Sequence, residues 1–233
     1  MPPSRTKGVP PESGGGCLVF RKDFTLMKTV VINSDDLSYA AEVILRGGLV
    51  AVPTDTVYGL AANGLDADAV EKIYEVKGRP HIKPIILLVQ DLSSAEVFCS
   101  EIPENARILA EAFWPGALSL VLPHSDIVPD IVTAGGKTVG VRCPDHPKAL
   151  DLLRLSGVPL AAPSANVSGM PSPKSAEEVL TYFDGKIDCV IDGGISALSF
   201  ESTIVDFAED PFRIIRQGAL PEEEILRALD RGK

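Results

Sequence analysis

Two rhythms of hydrophobic and polar positions alternate along this chain, one of helices and one of short buried strands. After Asn33-Ser34 the apolar residues Leu37, Ala40, Ala41, Ile44 and Leu45 recur at i, i+3, i+4, i+7 and i+8. That spacing predicts a helix, which Gly47-Gly48 ends. Residues 49–52 form a short unbroken apolar run that predicts a buried strand, stopped by Pro53. Helical spacing returns over residues 67–77 through Val70, Ile73 and Tyr74, and 85–89 predict another buried strand. Asn105 is placed to cap a helix through Ile108, Leu109, Ala112 and Phe113 that Pro115-Gly116 ends. Further strands are predicted at 118–122, 139–142, 160–162, 189–191, 203–207 and 213–216. Helices are predicted at 146–155, 175–183 and 221–229, the last with Pro221 in its first turn beside three glutamates. No internal repeat is visible. Strands interleaved with helices predict an α/β protein built on one open twisted mixed sheet, and no composition break divides residues 27–233.

Residues 1–26 break the rhythm. They hold Pro10-Pro11 and Gly14 to Gly16, and no periodic apolar pattern begins before Val30. No apolar segment of secretory type follows their basic residues, and an organellar transit peptide would be richer in Arg and Ser. A dispensable, disordered tail is expected there, with Met27 as the natural start.

Composition narrows the classes. With 45% hydrophobic and 23% charged residues over 233 positions, the chain buries a sizeable core and is not disordered. Acidic residues outnumber basic ones 32 to 22, a net charge of −10 that becomes −12 without the tail. Such a surface repels nucleic acid and anionic membrane at long range, while a local basic cleft still holds phosphates. No uncharged apolar run approaches the ~18–20 residues of a membrane span. Cys17, Cys99, Cys143 and Cys189 lie far apart, without a C-x-x-C pair or a histidine at ligand spacing. A structural zinc site is therefore not expected, and unpaired thiols point to a reduced, cytoplasmic setting.

Three stretches carry chemistry. Pro53-Thr54-Asp55-Thr56-Val57-Tyr58-Gly59-Leu60 follows a predicted strand, at the carboxyl end where α/β folds place ligand contacts. A pair of N-caps opening a helix reads the same residues equally well. Lys77-Gly78-Arg79-Pro80-His81-Ile82-Lys83-Pro84 gathers three cations between stiffening prolines. In an acidic chain that costs self-repulsion, so an anionic ligand is the better explanation than a solvated face. The segment from Ala162 to Ser172 is dense in hydroxyl and amide groups, which an ordinary surface loop also explains. Arg142 and Arg216 each end an apolar strand and need a partner, either a structural carboxylate or a ligand. Glu201-Ser202-Thr203 adds two hydroxyls before another strand.

Other signals fail. Gly135-Gly136-Lys137-Thr138 looks like the end of a P-loop, but Ile131 stands where its first glycine is required and a strand follows instead of a helix. His81, His124 and His146 neighbour proline or surface-like residues and lack an obvious nucleophile.

Seven motifs in order, Pro-Thr-Asp-Thr-Val-Tyr-Gly-Leu, Lys-Gly-Arg-Pro, Trp-Pro-Gly, Val-Arg-Cys-Pro, Pro-Ser-Ala-Asn-Val-Ser-Gly, Glu-Ser-Thr-Ile-Val-Asp and Ile-Arg-Gln-Gly, resemble the YrdC-type threonylcarbamoyl-AMP synthases from about Asp36 to Leu220. The resemblance implies an open twisted α/β sheet around a concave, positively lined cavity. It implies a nucleotidyltransferase that converts L-threonine, bicarbonate or CO2, and ATP with Mg²⁺ into threonylcarbamoyl-adenylate and pyrophosphate. The product would feed threonylcarbamoyladenosine formation at position 37 of tRNA. The family's catalytic signature falls on Lys77, Arg79, Ser164 and Asn166. On the ATP side the resemblance implies Arg79, Lys83, Thr138, Ser164, Ser172 and Arg216. On the threonine side it implies Thr56, Arg142, the backbone of Ala162, and Ser202. No protein-held metal is implied. Some members carry histidine where Leu88 stands, so a Leu88 contact with threonine would be apolar. The chain resembles short members without a further C-terminal domain.

Expected partners are the downstream tRNA threonylcarbamoyl-transferase proteins, with weak or no direct tRNA binding and no membrane. Two alternatives are an RNA-binding protein of rRNA maturation that holds a double-stranded helix, and a carbamoyl-transfer module of the kind found in HypF. The net charge of −10 weighs against the first, and the second needs acylphosphatase and zinc-finger companions that the chain lacks.

Overall fold

The computed structural model describes residues 28–33 and 35–231, so the expected tail over 1–26, the start at Met27, Ser34 and Cys17 lie outside the described residues. From Val30 the order is β1 (Val30–Ile32), α1 (Ser38–Leu45), β2 (Val50–Val52), β3 (Gly59–Asn63), α2 (Ala67–Lys77) and β4 (Ile86–Leu88). Then come α3 (Leu92–Glu96), α4 (Glu104–Phe113), β5 (Leu118–Pro123), α5 (Asp130–Thr133), β6 (Thr138–Arg142) and α6 (Pro147–Ser156). The chain continues through β7 (Leu160–Ala161), α7 (Ala176–Phe183), β8 (Cys189–Ile191), β9 (Thr203–Asp206), β10 (Arg213–Arg216) and α8 (Glu222–Arg231).

The strands join in one mixed sheet of order β1-β8-β2-β3-β7-β4-β6-β5-β9-β10. Pairs β1·β8, β2·β8, β4·β6 and β5·β9 are parallel. The pairs around β3, β7 and β10, together with β5·β6, are antiparallel. Central strands are apolar on both faces because both are covered. Val50, Val52, Ala61, Leu160 and Ile191 pack with Ile44 of α1 and Leu152 of α6. The alternate residues Ala51, Leu60, Ala62, Ala161 and Val190 belong to the core on the other face, with Ile73, Leu109, Val179 and Ile225. On the α1/α6 side the packed cover reaches only as far as Leu88 of β4. Beyond it, residues of β6, β5, β9 and β10 line a cleft instead.

Several expectations need correcting. β3, α3 and α5 carry no clear sequence signal: Gly-Leu-Ala-Ala-Asn is poor in β-branched and aromatic residues, and the two helices are one turn or little more. Asn105 is no cap, since α4 begins at Glu104 with Pro103 at the N-cap position. Leu45 is 55% exposed, and Val43 takes its place in the core. The P-loop rejection holds: α5 closes at Ala134 and Gly135, both left-handed, and Thr138 opens a strand. No described helix is long and apolar enough to cross a membrane.

Candidate active site

The cleft encloses about 270 Å³ and is lined, among others, by Thr56, Arg79, Thr138, Arg142, Ala162, Ser164 and Arg216, seven of the twelve residues singled out in the sequence. It opens at strand carboxyl ends, where Thr54 and Thr56 follow β2, Arg142 ends β6 and Ala162 follows β7, and it extends from there along the sheet face. Thr138 and Arg142, first and last residues of β6, both line it, a span of about 13 Å at the ordinary strand rise. Gly140 between them leaves the floor free of a side chain, and a Cβ there would come within 2.9 Å of the Ile86 side chain. Leu88 lines the cleft as an apolar wall.

At one end stands Arg142, buried and tied three ways. Its Nε donates to Gly116 O at 2.9 Å, Nη1 to Thr56 Oγ1 at 2.7 Å and Nη2 to Asp55 Oδ1 at 2.5 Å. Both alternatives for Arg142 are thus partly realised: it has a structural carboxylate, and it also faces the cleft. Burial lowers its pKa, Asp55 opposes that, and Arg216 lowers it further. Thr54 shapes the loop beneath, its Oγ1 donating to Val57 O at 2.6 Å and lying 2.9 Å from Thr56 Oγ1. These bonds form a hydroxyl turn between β2 and β3, so the Asp-Thr stretch opens no helix.

Arg216 stands beside Arg142, although the resemblance puts it on the ATP side. Its Nε donates to Ser202 O at 3.0 Å, Nη2 to Ser202 Oγ at 3.1 Å and Nη1 to Glu201 at 2.7 Å. Ser202 is buried, shares a 2.8 Å bond with Ser119 Oγ, and supports Arg216 from behind. Ser172 likewise donates to Glu201 at 2.9 Å. Glu201, given no role by sequence reasoning, is the one carboxylate among the lining side chains.

Toward Thr138 the cleft is bounded by Arg79. Gly78, left-handed at φ 58°, caps α2 and turns the chain so that Arg79 leaves the helix axis. Arg79 Nε and Nη2 donate to the carbonyls of Lys83 and Pro84 at 3.2 and 2.8 Å, which sets the guanidinium against the rim. Burial lowers its pKa, and Tyr74, then Glu201, partly offset that. The Lys83 side chain is exposed and outside the lining; its carbonyl, held by Tyr74 at 2.9 Å, is what orients Arg79.

Lys77 departs most from a phosphate-facing reading. It is 2% exposed, and its Nζ donates to Ser164 O, to Asn166 O at 2.5 Å and to Asn166 Oδ1 at 3.4 Å. Ser164 Oγ then donates to Asn166 Oδ1 at 2.5 Å, and Asn166 Nδ2 reaches Met170 O. Lys77 and Asn166 therefore clamp the 162–172 loop from behind, and of this loop's polar side chains Ser164 faces the cleft. Burial, then the charge of Arg79, push the Lys77 ammonium down to about 7. The unfolded chain therefore binds more protons between that value and the ordinary 10.5, and stability rises with pH across the window. Lys77→Met is expected to abolish this rise, so the melting-temperature gap between wild type and variant widens from pH 7 upward; parallel curves would exclude it.

Cys99, Cys143 and Cys189 are free and buried, which pushes their thiols up to about 12, 11 and 12 and leaves them unreactive. His81 stacks on Tyr74 and pairs with Glu71, whereas His146, read from its neighbours as surface-like, has a buried Nδ1.

Known proteins show the same arrangement of sequence. A family model of the Sua5/YciO/YrdC type, described as telomere recombination, matches residues 42–218. A threonylcarbamoyl-AMP synthase of Pyrococcus abyssi is 49% identical over 207 residues, 86% of this chain and 61% of that protein. A Bacillus subtilis protein of the same name is 47% identical over 194 residues, 83% of this chain and 56% of that protein. The crystal structure of P. abyssi Sua5 complexed with L-threonine aligns with a TM-score of 0.83 at 48% identity, covering 86% of this chain and 60% of that one. The chain thus spans about six-tenths of the length of these relatives.

Proposed function

The chain belongs to the Sua5/YciO/YrdC family, and we propose that it is an L-threonylcarbamoyladenylate synthase, joining L-threonine, bicarbonate or CO2, and ATP with release of pyrophosphate. One observation carries the reading: in a protein of net charge −10, Arg79, Arg142 and Arg216 converge on one cleft with a single lining carboxylate. Asp55 and Glu201 compensate Arg142 and Arg216, so with Arg79 the cleft keeps a net positive charge that suits an anionic ligand. The P. abyssi relative was crystallised with L-threonine, and we assign a small amino acid to the Arg142 end of this cleft, where a guanidinium can meet its carboxylate.

Threonine's carboxylate is assigned to the free edge of Arg142, with Thr56 and the Ala162 backbone beside it and Leu88 against the methyl. The nucleotide runs from there toward Thr138, Ser164 and Arg79. Arg216, next to Arg142, marks where the two substrates meet. Threonine's amine adds to CO2 to give a carbamate, releasing a proton. The carbamate oxygen attacks the α-phosphorus in line, and the Pα–O bond to pyrophosphate breaks. Positioning does most of this work, replacing roughly 7–11 kcal/mol of entropic barrier in favourable cases. Arg79 and Arg216 meet the charge that develops on the phosphates. Ser202 and Ser172 act through Arg216 and Glu201, Lys77 through the backbone of Ser164 and Asn166 through the Ser164 hydroxyl.

Mg²⁺ belongs to this picture as part of the MgATP substrate. Among the described residues no group of three or more His, Cys, Asp or Glu is placed to hold a metal. A phosphate-borne ion that keeps several waters needs only one or two carboxylates, and Glu201 is the one in reach of the cleft. Three unpaired buried thiols suit a cytoplasmic setting, and the adenylate would pass to tRNA threonylcarbamoyl-transferase proteins, without tight tRNA binding by this acidic chain. A cavity of about 270 Å³ also fits small molecules better than a double-stranded helix. The deciding experiment incubates the chain with MgATP, bicarbonate and threonine and follows pyrophosphate. Release that depends on threonine is expected; equal release without threonine excludes the reading.

A further inference from the structure

Behind Arg142 lies a polar cluster that none of these steps uses. Among the described residues three buried side-chain atoms have no hydrogen-bond partner: Asp55 Oδ2, His146 Nδ1 and Ser196 Oγ. They belong to three segments packed together. Asp55 Oδ1 already accepts from Arg142 and, at 3.1 Å, from the N–H of Asp145, the residue before His146. The Asp55 carbonyl accepts from Leu198 N at 2.9 Å, two residues beyond Ser196. Gly193 closes the third side: a Cβ there would lie 3.0 Å from His146 Cε1 and 2.6 Å from the Pro53 ring, so only glycine lets these segments approach. His146 is the N-cap residue of α6, yet its ring makes no capping bond. The charged groups acting on it are Asp55, Lys148 and Asp145.

Burying a carboxylate oxygen and an imidazole nitrogen without partners is costly, and an enclosed water with two to four polar partners is the usual resolution. We propose that His146 is a positioning residue for the threonine end of the cleft: through one enclosed water its Nδ1 holds Asp55 Oδ2 and so fixes the carboxylate that aims Arg142. Burial lowers the ring's pKa below its ordinary 6.5, so the imidazole is neutral at pH 7 and can donate to Asp55 without competing with Arg142 for its charge. A threonine contact is thus controlled by a residue that touches no substrate.

This inference rests on the threonine assignment above, and the test separates the two. Threonine and ATP KM values are measured for wild type, His146→Phe and His146→Asn. Phenylalanine fills the space without a polar atom, whereas asparagine places an amide near the Nδ1 position. His146→Phe is expected to raise the threonine KM about 5- to 30-fold, with the ATP KM within about twofold. His146→Asn is expected to recover most of that loss. An unchanged threonine KM in His146→Phe, equal rises in both KM values, or no recovery with asparagine overturns the role of His146. Wild type without threonine-dependent turnover overturns the functional assignment instead. High-resolution crystals give a readout free of activity: wild type should show a water between Asp55 Oδ2 and His146 Nδ1, and its absence there overturns the proposal even if His146→Phe does not fold.

Discussion

Arg79→Ala is expected to lower threonine-dependent pyrophosphate release by about 10²–10³-fold, the usual loss when one preorganised donor to a developing charge is removed. The fold should survive. Arg79 is only half-buried, and the two carbonyls it satisfies belong to Lys83 and Pro84, both exposed, so water can replace the guanidinium there. A melting temperature within a few degrees of wild type, measured beside the turnover, separates lost catalysis from lost structure. Arg79→Lys should rescue little, since one ammonium cannot span both carbonyls and still present a flat fork to phosphate. Near-normal turnover in Arg79→Ala would refute the nucleotide assignment.

Arg142→Ala should behave differently because Arg142 anchors Asp55 as well as facing the cleft, where we assign it to threonine. The Asp55 side chain is 9% exposed, and removing its partner leaves a buried carboxylate uncompensated. That costs about 3–5 kcal/mol, a large share of the stability of an ordinary domain. Threonine affinity should fall about 10- to 100-fold as a charged hydrogen bond is lost, with ATP affinity little changed. The double variant Arg142→Ala with Asp55→Ala separates the duties. Stability should largely return, because no charge is stranded, while threonine affinity should not. A double variant that regains both in calorimetric titration would reduce Arg142 to a structural arginine.

How far the sequence reached follows from the same residues. Gly78 after the periodic α2 ended the helix where expected and left Arg79 at a loop's start, since capping depends on neighbours within one turn. The unbroken apolar runs at β2, β4 and β8 were legible because both faces of those strands are covered. β3 was not, because its glycine and alanines carry little strand propensity and its place comes from pairing with β2 and β7. The cations at 77 and 79 read as equals. One enters the core to hold carbonyls and the other reaches the cleft, a difference set by the helix face and by the loop it meets.

By itself, then, the chain's order of residues determined the alternation of strand and helix, the acidic surface with a basic exception, and seven motifs whose succession places it in a family. Tertiary structure alone decided that Arg142 spends part of its fork on Asp55, that Lys77 turns inward, and that Arg216 shares a cleft with Arg142. The reason is one of distance along the chain. Asp55 and Arg142 are 87 positions apart, and so are Lys77 and Ser164. Sheet register and loop packing bring such partners together, whereas periodicity and capping act over a few residues.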